Sequence, residues 1–248
     1  MAFPTTHWTQ LAEATLHGDA SGQEALAAMC HAYRKPVEAF MAARGYRDEE
    51  LEDLVQEFFL SWLKSRAWKR ADPMQGRFRS FLLGAVQHLL SHHRDHGGCQ
   101  KRGGGQVDQS LDALMETGFE PPDPSDPAVS QFDRQWAVAV VENALGRVEE
   151  EFRQAGRTAE FAVLRRFLPG SAAVLTMEQA GTELDLSQPA VKAAIHRLRL
   201  RFRGTLRSAV AQTVGTMEEV AEEMQYLRTL LSRERDRPES PGAGQAWP

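Results

Sequence analysis

The sequence predicts an all-α protein: two helical domains joined by a linker, with a short extra helix at the C-terminus. Three observations predict it. Apolar residues recur at helical spacing through much of the first hundred residues and again from about Ser130. Little of the chain alternates apolar and polar residues as a half-buried strand would. Between the two helical stretches, a glycine-rich basic run (GGCQKRGGGQ) is followed by a proline-rich acidic one (EPPDPSDP), a composition that marks a linker rather than a core element.

The elements follow in order. Ala25, Leu26, Met29, Cys30, Tyr33, Val37, Phe40 and Met41 share one helix face, and Gly45 ends that helix. A second begins near Asp48, where Leu51, Leu54, Val55, Phe58, Phe59, Trp62 and Leu63 form a wide apolar stripe. Pro73 and Gly76 break the chain. A third runs through FRSFLLGAVQHLLSHHRD, with Phe78, Phe81, Leu82, Ala85 and Leu89 on its apolar side. The pattern resumes through Trp136, Val140, Leu145 and Phe152, then Phe161, Leu164 and Phe167, before the Pro169-Gly170 stop. A further helix is expected over 216–232, ahead of a polar, Pro/Gly-rich tail. The expected divisions are a first domain over 5–96, the linker over 97–130, a second domain over 131–210 and a C-terminal extension over 211–248.

Composition narrows the function. No apolar run approaches the ~20 residues that span a bilayer, and the N-terminus has neither the basic region nor the apolar core of a secretory signal. Cys30 and Cys99 are the only two cysteines, which gives no disulfide framework and suits a reducing cytoplasm. The net charge of −5 hides segregation of sign. Residues 61–105 carry nine basic side chains against Asp72 and Asp95, whereas residues 106–130 carry six acids and no base. The stretch 188–207 is basic again. Two basic blocks around an acidic spacer point to two contacts with a polyanion.

The second basic block lies in LTMEQAGTELDLSQPAVKAAIHRLRLRFR. Thr176 can cap a helix, with Gln179 completing a capping box. Met177, Ala180, Gly181 and Leu184 form its inner side, and small Gly181 permits close helix approach. Asp185 sits where the chain must turn, and Asp tolerates the left-handed conformation. Ser187 then caps a second helix, and Pro189 is acceptable in its first turn. This is a helix-turn-helix whose second helix has its N-terminus free for a major groove. Ser187, Gln188, Ala190, Lys192, Ala193 and His196 would lie nearest base edges, and Arg197, Arg199 and Arg203 nearest phosphates.

With those residues in view, the chain resembles the sigma factors of bacterial RNA polymerase of the extracytoplasmic-function type. Gly181, Leu184, Leu186-Ser187 and Val191-Lys192 match the region 4 helix-turn-helix of that family, while Asp185 replaces its turn glycine and Pro189-Ala190 its usual Gly-Thr. Glu52-Asp53-Leu54-Val55-Gln56-Glu57-Phe58-Phe59-Leu60 looks like region 2.2, which docks on the polymerase clamp, and Arg77-Phe78-Arg79-Ser80-Phe81-Leu82 with Ala85 to Arg94 looks like regions 2.3 and 2.4. The QKRGGG run, FDRQWA and EEMQYLRTLL resemble a subgroup of longer factors of this type. The resemblance implies that Asp53, Gln56, Glu57 and Leu60 bind core polymerase. It implies that Arg70, Arg77, Arg79, Gln87, His88, His92 and Arg94 meet the −10 element, with loop 69–77 holding a flipped base, and that the helix-turn-helix meets the −35 element. The partners implied are core RNA polymerase and promoter DNA, with an anti-sigma protein as a further candidate. The competing reading is a conventional helix-turn-helix regulator that never joins polymerase.

No enzyme is expected: the sequence holds no Gly-rich phosphate loop and no nucleophile elbow. His88, His92, His93, His96 and Cys99 include i, i+4 pairs. Without a CxxC, and with only Asp95 as a nearby carboxylate, no metal site and no cofactor are expected. These histidines are expected on the DNA-facing side of the third helix, where promoter binding would respond to pH.

Overall fold

The computed structural model describes residues 20–65, 77–97, 123, 125–169, 171 and 175–235. The fold is all-α, and among the described residues there is no strand. The helices are α1 (Ala20–Ala43), α2 (Asp48–Ser65), α3 (Phe78–Gly97), α4 (Pro127–Gln154), α5 (Thr158–Leu164) with a 3-10 turn (Arg165–Phe167), α6 (Met177–Leu184), α7 (Gln188–Ala211) and α8 (Met217–Arg235).

The first three helices form as their periodicity predicts. Met29, Tyr33, Val37, Phe40 and Met41 of α1 are buried against Leu54, Val55, Phe58, Phe59 and Trp62 of α2. Gly45, at φ +104, ends α1 in a conformation that costs a side-chain-bearing residue more. Asp48, Glu49 and Glu50 fill the first turn of α2 and Lys64 its last, which complements the helix dipole. In α3 the buried face is wider than the expected stripe. Leu83, Val86 and Leu90 are buried beside Phe78, Leu82, Ala85 and Leu89, whereas Phe81 is half-buried edge-on to Trp62 at 5.2 Å.

Part of the same core comes from later in the chain. Helix α4 starts at Pro127, three residues before the expected onset, because Asp126 caps it by accepting from the Ala128 amide (2.9 Å) and Pro127 fits its first turn. Asp126 also pairs with Arg44 at the end of α1. From Ala128 to Ala144, α4 places Ala128, Val129, Phe132, Trp136, Ala137 and Ala144 in the same core as α1, α2 and α3. Its second half carries Val148 into another core, with Phe161, Val163 and Leu164 of α5, Leu168, Ala180 of α6, and Val191, Ala194, Ile195 and Leu198 of α7. At 28 residues α4 is roughly 42 Å long at 1.5 Å per residue, long enough to serve both. Full burial of each large side chain is worth about 1.5–3 kcal/mol. Residues on either side of the expected linker therefore share one core. The far end of α7 adds Leu206 to it, and α8 adds Leu227 and Leu230.

Candidate nucleic-acid interface

The pair of helices α6 and α7, with the turn between them, is built by local rules. Thr176 accepts from the Gln179 amide (3.1 Å) and Gln179 accepts from the Thr176 amide (3.0 Å), the reciprocal capping box the sequence predicts. Asp185 turns the chain in the left-handed conformation, at φ 52° and ψ 46°. The Leu186 amide then bonds back to the Gly181 carbonyl (2.9 Å), closing the helix end. A Cβ on Gly181 would stand 2.7 Å from the Leu186 carbonyl oxygen but an ordinary 3.9 Å from Val191 of α7, so the close approach that requires glycine is to the turn and not to the facing helix. Gly181→Ala is expected to displace this turn and cost about 1–3 kcal/mol. The check is a thermal melt alongside duplex DNA binding, with both lowered.

Ser187 occupies the N-cap position of α7 in extended conformation, but its hydroxyl makes no capping bond; its carbonyl accepts from Val191 (2.9 Å). Gln188, Lys192, Ala193, His196, Arg197 and Arg203 are exposed and Ala190 is half-exposed, opposite buried Val191, Ala194, Ile195 and Leu198. Arg199 differs from the expectation of a free phosphate contact. Its Nη2 donates to the Phe167 carbonyl (2.8 Å), securing the 3-10 turn. Arg201, on the same basic helix, pairs with Glu151 (2.6 Å).

On α2, Asp53, Gln56, Glu57 and Leu60 fall on one exposed strip at i, i+3, i+4 and i+7. Leu60 is 55% exposed and Leu63 38%, so apolar surface lies beside the acids. Gln56 donates to Glu52 (2.8 Å), and Arg34 donates to both Glu52 oxygens (2.5 and 2.6 Å). Those bonds, from Gln56 first and then Arg34, hold the Glu52 carboxyl below its ordinary range.

On α3, Arg94 is exposed and Gln87, His88 and His92 are half-buried, all toward one side. Gln87 and Arg94 line a hollow of about 270 Å³ with Phe40, Arg44, Tyr46 and Ser91. His93 stands edge-on to Tyr46 at 6.0 Å, and its Nε2 is 3.8 Å from Glu50. Among the described residues no group of three or more His, Cys, Asp or Glu is placed to hold a metal ion. Arg70, Cys99 and the side chain of His96 lie outside the described residues.

Arg79 corrects the expectation of a nucleic-acid contact. It is 9% exposed. Nη1 donates to Asp133 of α4 (2.5 Å) and Nε to Glu223 of α8 (2.6 Å). Its guanidinium lies over the rings of Tyr226 (4.7 Å) and Trp136 (5.3 Å). The Tyr226 hydroxyl donates to the second oxygen of Asp133 (2.5 Å). Burial works against the charge on Arg79, but Asp133 and Glu223 outweigh it, so its pKa rises. Sequence reasoning gave no role to Asp133 or Tyr226 and did not pair Glu223 with Arg79. The available signal was a charge inside an apolar stripe: Asp133 between Val129 and Ala137, and Glu223 between Val220 and Leu227.

Burial, and then the bond to Asp133, push the Tyr226 phenol up to about 12 from the ordinary ~10. A raised folded pKa gives stability that is complete below pH ~10 and lost as pH climbs toward 12. Tyr226→Phe is expected to cost about 1.5–3 kcal/mol at neutral pH, through the lost bond to a charged acceptor. It should also flatten the alkaline decline. Denaturant melts from pH 7 to 11 read both effects.

Residues 29–98 match the family model of sigma-70 region 2. The match begins in α1 and closes just past α3, so the matched segment holds both the acidic strip of α2 and the side of α3 with Gln87, His88, His92 and Arg94. No match was found among curated proteins or solved structures. Among the described residues, no helix is long and apolar enough to cross a membrane.

Proposed function

We propose that the protein is a sigma subunit of the extracytoplasmic-function type, which brings core RNA polymerase to chosen promoters and starts transcription. The observation that carries this reading is the region 2 match, because it covers both surfaces such a subunit needs. The strip Asp53, Gln56, Glu57 and Leu60 suits a basic partner surface with an apolar centre. The outer side of α3, with Gln87, His88, His92 and Arg94, and Arg77 just before it, suits an opened DNA strand: arginines for phosphates and half-buried Tyr46 for a base. The helix-turn-helix, 80 residues or more further along the chain, suits a duplex major groove at the −35 element. On this reading the protein performs no chemistry; polymerase does. Its place is the cytoplasm, beside the DNA.

The test is in vitro transcription from pooled genomic fragments by core polymerase, with and without the protein, followed by mapping of transcript 5′ ends. Protein-dependent starts sharing two upstream elements support the reading. A conventional regulator would bind DNA and give no such starts.

A further inference from the structure

Helix α8, the helix expected over 216–232, is docked on the start of α3. The Phe78 amide, first in α3, donates to the Thr213 carbonyl in the α7–α8 turn (3.2 Å). Arg77 donates through Nη2 to Glu222 (2.9 Å), and its Nη1 lies 3.2 Å from Glu223. Glu223, fully buried, also holds Arg79. Val220, Leu227 and Leu230 fix the helix in place from beneath. Glu219 is engaged otherwise, accepting from the Gly215 and Thr216 amides at the start of its own helix.

Two carboxylates thus stand at the guanidinium of Arg77, where the proposed function puts strand phosphates. A carboxylate and a phosphodiester compete for the same fork of N–H donors. We propose that α8 is an internal competitor of the opened promoter strand: Glu222 and Glu223 occupy Arg77 and close the start of α3 until DNA displaces them. The inference rests on the sigma reading for its biological meaning, since that reading places DNA at this surface. The two parts of the contact differ in strength. Glu222 is 66% exposed and Arg77 29%, so their pair is a weak brake, whereas Glu223 and the apolar side anchor the helix. Displacing α8 frees Arg77, while Arg79 keeps its bond to Asp133 of α4.

The experiment uses the full chain, wild type against Glu222→Gln, with a fluorescent random-sequence single-stranded oligonucleotide, which reports phosphate contacts without the duplex the helix-turn-helix needs. Glu218→Gln makes the same charge change one turn earlier and controls for the general field. Glu222→Gln is expected to tighten binding by about two- to fivefold, the range for an exposed ion pair, with Glu218→Gln close to wild type. Equal affinities of wild type and Glu222→Gln, including no binding by either, overturn the proposal, as does an equal gain in both variants. Hydrogen exchange gives a second reading without mutation. Saturating oligonucleotide should speed amide exchange in α8; unchanged or slower exchange overturns it. Retention of the same proteins on core polymerase is measured in parallel. Failure there removes the sigma reading, while the oligonucleotide comparison still decides the competition.

Discussion

Arg79→Ala is expected to lower stability by about 3–5 kcal/mol, because it leaves buried Asp133 with no cation and buried Glu223 with Arg77 alone. Asp133 is 3% exposed and Glu223 fully buried, so neither reaches water to recover its solvation. For a chain of this size the loss corresponds to a fall of roughly 6–20 °C in Tm. That is a large part of the ~5–15 kcal/mol that folded domains possess. Arg79→Ala combined with Asp133→Asn and Glu223→Gln should recover much of the loss, since the uncompensated charges are gone. Calorimetry of the single and triple variants measures both steps. A single variant melting within 2 °C of wild type would mean that the cluster does not hold α8 and α4 on α3 in solution.

The second large effect belongs to α7. Arg197→Ala with Arg203→Ala is expected to weaken binding to duplex promoter DNA about 30-fold at 0.15 M salt, and to lower the slope of log K against log salt by about 2. Both side chains are exposed on α7. The loss should be similar across sequences, because phosphate contacts position the protein and base contacts specify. Arg201→Ala is the comparison: its guanidinium is already bonded to Glu151, so its loss should weaken binding less. Fluorescence anisotropy at four salt concentrations reads the slope. An unchanged slope would place the DNA elsewhere.

How much was legible in the sequence depended on how local its cause is. Capping and turn chemistry at Thr176, Gln179, Asp185 and Gly181 is written within ten residues, and the helix-turn-helix follows from it. The stripes of α1 and α2 are likewise local. Burial of Arg79 was not legible, because its partners stand 54 and 144 residues away and no periodicity names a partner. A basic residue in a basic block was read as a free cation, though its neighbours Phe78 and Leu82 are fully buried and α3 has helices on more than one side. The bond of Arg199 was not legible for the same reason: its acceptor is the Phe167 carbonyl, 32 residues back. The start of α4 was missed because Pro127 reads as linker until Asp126 is seen to cap it.

The charge pattern also gains meaning from the fold. The acids of α8 are not a solvated face: two of them meet the first basic block directly. Acid elsewhere in the chain opposes nonspecific attraction to DNA, but screening limits each exposed charge to roughly 8–10 Å. Only acids docked beside a guanidinium compete for it.

The central claim is that this chain joins polymerase. The most direct test is retention of the purified protein by bacterial core RNA polymerase, compared with the Asp53→Ala/Gln56→Ala/Glu57→Ala variant. All three side chains are exposed on α2, so the variant should fold as wild type does. The account predicts stable binding by the wild type and a loss of at least tenfold in the variant, as truncation of contacts at an interface centre gives. Absence of binding by a folded wild-type protein that still binds duplex DNA would contradict it.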